Sequence, residues 1–140
     1  MSSIKNIVIA DDDADDVEMF QSAIDETCPD IELSVATDGA KLIKLLEKMP
    51  TPDAIFLDLN MPNKSGKECL EEIRANDDFD DVPIVILSTS NQQDEIKFCL
   101  NNGANHYFVK PNSYSGLKNI IESICSGNLD LAVSENNNKG

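Results

Sequence analysis

The chain has 140 residues, 41% of them hydrophobic, which suits a single domain with its own core. Its 26 acidic residues outnumber 11 basic ones and leave a formal charge of −15, so there is no basic surface for nucleic acid or an anionic membrane. No charged-then-apolar leader opens it and no apolar run nears the ~20 residues of a membrane span, so the expected location is cytoplasmic.

The first apolar run, "IKNIVIA" (4–10), is strand-like and leads into "DDDADD" (11–16). A helical stripe follows, with Val17, Phe20 and Ile24 on one face and Pro29 beyond its end. "IELSVA" (31–36) predicts a second strand, and Leu42, Leu46 and Met49 a second helix that stops before Pro52. "DAIFLD" (53–58) predicts a third strand, with Leu70 and Ile73 marking the helix after it. "PIVILS" (83–88) is the fourth strand; Ile96, Cys99 and Leu100 share a helix closed by "NNG" (101–103), with Gly103 as its C′ residue. "HYFVK" (106–110) is the fifth strand, and Leu117, Ile120, Ile121 and Ile124 stripe a fifth helix.

The first, third and fourth strands are continuously apolar and β-branched, as strands buried on both faces of a parallel sheet are. Aromatic residues are few and Trp is absent, so the core rests on Ile, Leu and Val. Strict alternation of strand and helix implies an α/β domain with right-handed crossovers. The domain is expected over 1–125. Residues 126–140, "SGNLDLAVSENNNKG", lose periodicity and are expected to form a partly disordered tail. Cys28, Cys69, Cys99 and Cys125 stand singly, without a C-x-x-C pair, and are expected to be small buried hydrophobes in a reducing compartment.

Chemistry gathers at the carboxyl ends of the strands, where open parallel sheets bind ligands. Asp11 and Asp12 end the first strand, Asp58 the third, Ser88 the fourth and Lys110 the fifth. This set fits phosphoryl transfer onto a carboxylate. Asp11, Asp12 and Asp58 offer hard oxygen ligands suited to Mg2+, Lys110 a second positive charge, and Ser88 a hydroxyl donor to a phosphoryl oxygen. Without the metal, three gathered carboxylates repel one another.

The motifs "IADDD", "DLNMPNKSG" (58–66), "ILSTS" (86–90) and "YFVKP" (107–111), in this order over roughly residues 4–125, resemble the receiver domain of two-component response regulators. The resemblance implies a flavodoxin-like (βα)5 fold with strand order 2-1-3-4-5. Asp58 would accept a phosphoryl group from a histidine kinase or phosphotransfer protein. Asp12 and Asp58 would bind Mg2+ directly, Asp11 through water, and Asn60 through its main-chain carbonyl. Ser88 matches the hydroxyl that moves toward the phosphoryl group, Tyr107 the aromatic switch that turns inward with it, and Lys110 the lysine before a cis Pro111. Thr89 is larger than the residue often found there, and Asn60 and Ser90 stand where the family tunes dephosphorylation. The acidic "NDDFDD", with "STSNQQDEI" and "GANHYFVKP", most resembles stand-alone receivers paired with bacterial phytochromes. Such a receiver is a signalling switch and not an enzyme. It acts on a downstream protein through its fourth helix, fifth strand and fifth helix, as a monomer or a homodimer.

Other readings compete for the same residues. Asp13, Asp15 and Asp16 suit a helix start, with Asp13 as cap. A calcium loop fails, because Asp16 stands where it needs Gly and Ser22 where it needs Glu. A haloacid-dehalogenase-like phosphatase needs a second Asp as general acid where this chain has Asn60, and an amide cannot donate that proton. A degenerate receiver serving only as a scaffold would lack part of the site, yet each position is filled. His106, the sole histidine, reads as structural or exposed, and no phosphate-cradling Gly-rich loop is present.

Overall fold

The structure, a computed structural model, describes residues 4–126. Five strands, β1 (Asn6–Ala10), β2 (Glu32–Ala36), β3 (Ala54–Leu57), β4 (Ile84–Ser88) and β5 (His106–Val109), form one parallel sheet in the order β2-β1-β3-β4-β5. Five α-helices alternate with them: α1 (Ala14–Thr27), α2 (Gly39–Lys48), α3 (Gly66–Arg74), α4 (Gln93–Asn101) and, after the last strand, α5 (Tyr114–Cys125). The expected fold class and strand order are those observed.

The pleat explains the unbroken apolar strands. Alternate residues face opposite sides, and each side has its own helical layer. Ile7, Ile9, Phe56, Val85 and Leu87 pack with Phe20 and Ile24 of α1 and with Leu117, Ile121 and Ile124 of α5. Val8, Ile55, Leu57, Ile84 and Ile86 face the other way, toward Leu42 and Leu46 of α2, Leu70 and Ile73 of α3 and Cys99 of α4. Phe20 meets Phe56 edge-on, with ring centroids 4.7 Å apart.

Local chemistry sets the helix ends. Asp13 caps α1 by accepting from the Asp15 and Asp16 amides, and Asp38 caps α2 by accepting from that of Lys41. Ser65 and Glu68 form a capping box at α3. Gly103 follows α4 at φ +106°, a left-handed conformation that glycine adopts without a Cβ penalty.

One half-buried arginine ties two loops together, the α3–β4 and α4–β5 connections. Arg74 donates to the carbonyls of Gly103 (2.8 Å), Phe79 (2.6 Å) and Val82 (2.7 Å) and to the Asn105 side-chain oxygen (2.8 Å). Arg74→Met keeps the apolar stem but strands these acceptors. It is expected to cost about 2–4 kcal/mol in a urea melt. An unchanged midpoint would show that water replaces the guanidinium without loss.

Two expectations are corrected. Cys28, the residue capping α1, is disulfide-bonded to Cys125, the last residue of α5, with their Cα atoms 6.8 Å apart. Both helices pack on the same sheet face and end at the same side of the domain, a proximity that residues 97 apart in sequence do not announce. Only Cys69 and Cys99 are the free, buried thiols expected, and burial pushes each up to about 11. The cysteine pattern therefore gives no reason to infer a reducing compartment. Secondly, every peptide bond among the described residues is trans, including Lys110–Pro111. There the Lys110 amide donates to the Ser88 carbonyl at 2.7 Å, so the chain leaves β5 as an extended continuation of the ladder. The predicted tail lies outside the described residues, save for Ser126. No described helix is long and apolar enough to cross a membrane.

Candidate functional site

The ladder itself brings the carboxylates together. Beyond the last paired residues, the Asp11 amide donates to the Ala36 carbonyl and the Asp58 amide to the Ala10 carbonyl, each at 3.0 Å. Neighbouring strands thus end level, and Asp11 and Asp58 emerge side by side, both buried, with Asp12 exposed beside them. One oxygen from each of Asp11, Asp12 and Asp58 lies within 4.8 Å of the others. Three hard oxygen donors at this spacing fit a divalent cation of the Mg2+ or Ca2+ class.

Gly66 supports Asp58 from behind. Its amide donates to the Leu59 carbonyl at 3.0 Å, and a Cβ there would fall 2.2 Å from the Asp58 carbonyl oxygen. The first turn of α3 therefore rests directly on the backbone that carries Asp58, an approach open only to glycine.

Lys110 crosses the site from β5. Its Nζ donates to Asp16 Oδ2 at 2.6 Å, to Asp11 Oδ2 at 3.0 Å and to Asp58 Oδ2 at 3.3 Å. Its stem covers a small hollow lined by Ile9, Met19, Phe20, Leu87, Pro111 and Leu117. Burial opposes its charge, but hydrogen bonds to Asp16 and Asp11 and the charges of Asp58 and Asp11 outweigh that and raise it above the ordinary lysine range. Asp58 is raised to about 6, chiefly by burial. The Lys110 charge works against that rise and the Asp11 charge adds to it. The second Asp58 oxygen accepts from the Asn60 amide at 3.3 Å.

Ser88 is fully buried at the end of β4, where its Oγ accepts from the Ser90 amide at 3.2 Å. Tyr107 is turned inward, 5% exposed, and its hydroxyl donates to the Ser90 carbonyl at 2.8 Å. The Ser88–Ser90 segment thus links the hydroxyl to the aromatic ring. Thr89 is exposed, and His106 is buried at the start of β5.

All five strand-end residues expected at this edge are there. Asp16 is at the helix start, as the sequence predicts, but that expectation leaves out its second role. Its carboxylate makes the shortest bond to Lys110. A signal existed: side chains of a first turn lean back toward the helix N-terminus, here toward the strand ends.

The profile of the response regulator receiver domain matches residues 7–122. The chain belongs to the response regulator receiver family. It is 31% identical to response regulator Rcp1 of Synechocystis over 126 residues, 86% of each chain. The crystal structure of the phosphorylated cyanobacterial phytochrome response regulator RcpA superposes with a TM-score of 0.80 at 30% identity, covering 87% of this chain and 91% of RcpA. The Mn(2+)-bound form of Rcp1 gives 0.78 at 31% identity, covering 86% and 91%. Transcriptional regulatory protein PrrA of Mycobacterium leprae is 34% identical over 78% of this chain, which spans only 45% of PrrA. In this receiver the pocket of Asp11, Asp12 and Asp58 accords with phosphorylation and metal binding. Neither the phosphatase nor the degenerate-scaffold alternative finds support, since Asn60 stands where the phosphatase needs an acid and the acidic site is complete.

Proposed function

We propose that this receiver accepts a phosphoryl group on Asp58 from a histidine kinase or phosphotransfer protein and then signals through a changed protein-binding surface. The observation that carries the reading is the meeting at Asp58 of two further carboxylates and one ammonium, from three strand ends. In the step proposed, an Asp58 carboxylate oxygen attacks phosphorus. The new P–O bond forms as the donor P–N bond breaks, and the electron pair stays on the leaving imidazole, which takes up a proton. Asp11, Asp12, Asp58 and the main-chain carbonyl of Asn60 would hold Mg2+, which when bound supplies positive charge against the phosphoryl oxygens. Lys110 supplies a second positive charge and the Ser88 hydroxyl a donor.

Ser88 and Tyr107 form the switch in this reading. Movement of Ser88 toward the phosphoryl group pulls on Ser90, which holds the Tyr107 hydroxyl, and so reaches the surface of α4, β5 and α5, where a downstream protein would dock. The domain spans 1–125 and works as a cytoplasmic signalling module, without turnover of a small substrate. The likeness to RcpA, a cyanobacterial phytochrome response regulator, favours a phytochrome-type kinase as the donor.

Intact mass after incubation with acetyl phosphate and Mg2+ tests the proposal. A gain of about 80 Da on wild type, lost in alkali and without added metal, is the expected result. No gain, or an equal gain on Asp58→Asn, would sink it.

A further inference from the structure

The ammonium of Lys110 has three hydrogens to donate, and three carboxylates take them. Two of these, Asp11 and Asp58, belong to the oxygen cluster that fits a cation. The third, Asp16, does not, yet at 2.6 Å it holds the lysine closest, while Asp58 at 3.3 Å holds it least. Asp16 lies on the first turn of α1, a helix whose Phe20, Ala23 and Ile24 pack against the sheet, so its backbone is held beside the site. The lysine is thus held more closely by Asp16 than by Asp58.

We propose that Asp16 is a positioning residue that competes with the phosphoryl group for Lys110 and thereby sets how readily the site takes up and keeps a phosphoryl group. This rests on the reading of Asp58 as phosphoacceptor. Once a phosphoryl group occupies Asp58, an oxygen carrying more charge than a carboxylate oxygen becomes available to the ammonium. Forming that bond means giving up one already made. Asp11 sits in the oxygen cluster with Asp58 and Asp16 does not, so the bond released is the one to Asp16. Asp16 is partly exposed, which limits what its ion pair is worth but also lets water take over its carboxylate when the lysine leaves. Removing the Asp16 charge removes the competitor, and the bound phosphoryl group gains.

Fluoroberyllate, a stable mimic of the phosphoryl group, measures this without the chemical step. Its affinity in Mg2+ is compared for wild type, Asp16→Asn, Asp16→Glu and Asp15→Asn. Asp15 sits in the same helix turn, exposed, and its variant reports the general effect of deleting one negative charge there. Asp16→Asn is expected to bind about three- to fivefold tighter, the upper worth of a partly exposed ion pair, with Asp15→Asn changing less than about twofold. Asp16→Glu, which keeps the charge, returns toward wild type. A second measurement follows the Lys110 ammonium by 15N NMR; its resonance should move on fluoroberyllate binding in wild type and start closer to the bound position in Asp16→Asn. Equal or weaker binding by Asp16→Asn, or equal tightening by Asp15→Asn, overturns the role of Asp16 and leaves Asp58 untouched. Failure of wild type to bind fluoroberyllate at all overturns the phosphoacceptor reading and the inference with it.

Discussion

Asp58→Asn is expected to have opposite effects on function and on stability. Uptake of a phosphoryl group should vanish, because the nucleophilic oxygen is gone. In a chelating buffer above pH 6, however, the variant should be more stable than wild type. The sign follows from the raised pKa of Asp58. Asp58 is lifted from 3.8 to about 6 in the fold, mainly by burial, so the fold binds its proton more tightly than the unfolded chain does. Wild-type stability from this group is therefore complete below about pH 4 and falls as the pH rises to about 6, where the ionised carboxylate stays buried beside Asp11. That rise corresponds to a penalty on the order of 1–3 kcal/mol at neutral pH. Asparagine has no charge to bury. Paired thermal melts of the two proteins in EDTA, from pH 4 to 8, should separate as the pH rises, with the variant above. Added Mg2+ should close the gap by stabilising wild type more, since a cation that binds only the fold adds its binding energy to it. Parallel curves at every pH would show that burial of Asp58 carries no such penalty.

The second large effect lies on the other side of the domain. Opening the Cys28–Cys125 disulfide frees a closed stretch of 97 residues, for which chain entropy alone predicts a loss of roughly 4–5 kcal/mol. For a domain of this size that is a fall of roughly 10–20 °C in Tm. Dithiothreitol should lower the melting temperature by this amount. Cys28→Ser and Cys125→Ser should each melt like the reduced protein and be insensitive to the reagent. Thiol titration in denaturant checks the bond directly: only Cys69 and Cys99 should react before reduction, and all four cysteines after it. Four reactive thiols without reductant, together with identical melts, would exclude the bond. The stabilisation bears on signalling because α5 is one wall of the proposed output surface, and the bond anchors its end to α1.

Much of the site was legible because it is built from chain ends of regular elements. A strand buried on both faces is an unbroken apolar run, so its last residue is visible as the first polar one. In a parallel sheet all such residues fall on one edge. Asp11, Asp58, Ser88 and Lys110 could therefore be placed together from spacing alone, and the metal-ligand chemistry of neighbouring carboxylates followed from residue type. Helix caps were equally local: Asp13 accepts from amides two and three residues ahead, and Gly103 takes its positive φ where the helix stops.

What escaped the sequence reading depends on distance through space. Asp16 was legible as a helix-start acid, yet its pairing with Lys110 spans 94 residues and exists because α1 begins beside the end of β1 while β5 closes the sheet's far side. Arg74 is a basic residue in the last turn of α3 that no sequence motif marks; only the assembled loops show it bonded to three carbonyls. The disulfide is the plainest case, since nothing near Cys28 or Cys125 distinguishes them from Cys69 and Cys99. The sequence by itself determined the alternation of strand and helix in a parallel α/β domain, the edge that carries the chemistry and the acids gathered there, because apolar periodicity and strand-end polarity are local patterns that the chain repeats; the strand order came from the family resemblance. Tertiary structure alone decided which acid holds the lysine and which thiols meet, because those contacts arise from the packing of α1 and α5 on one face of the sheet.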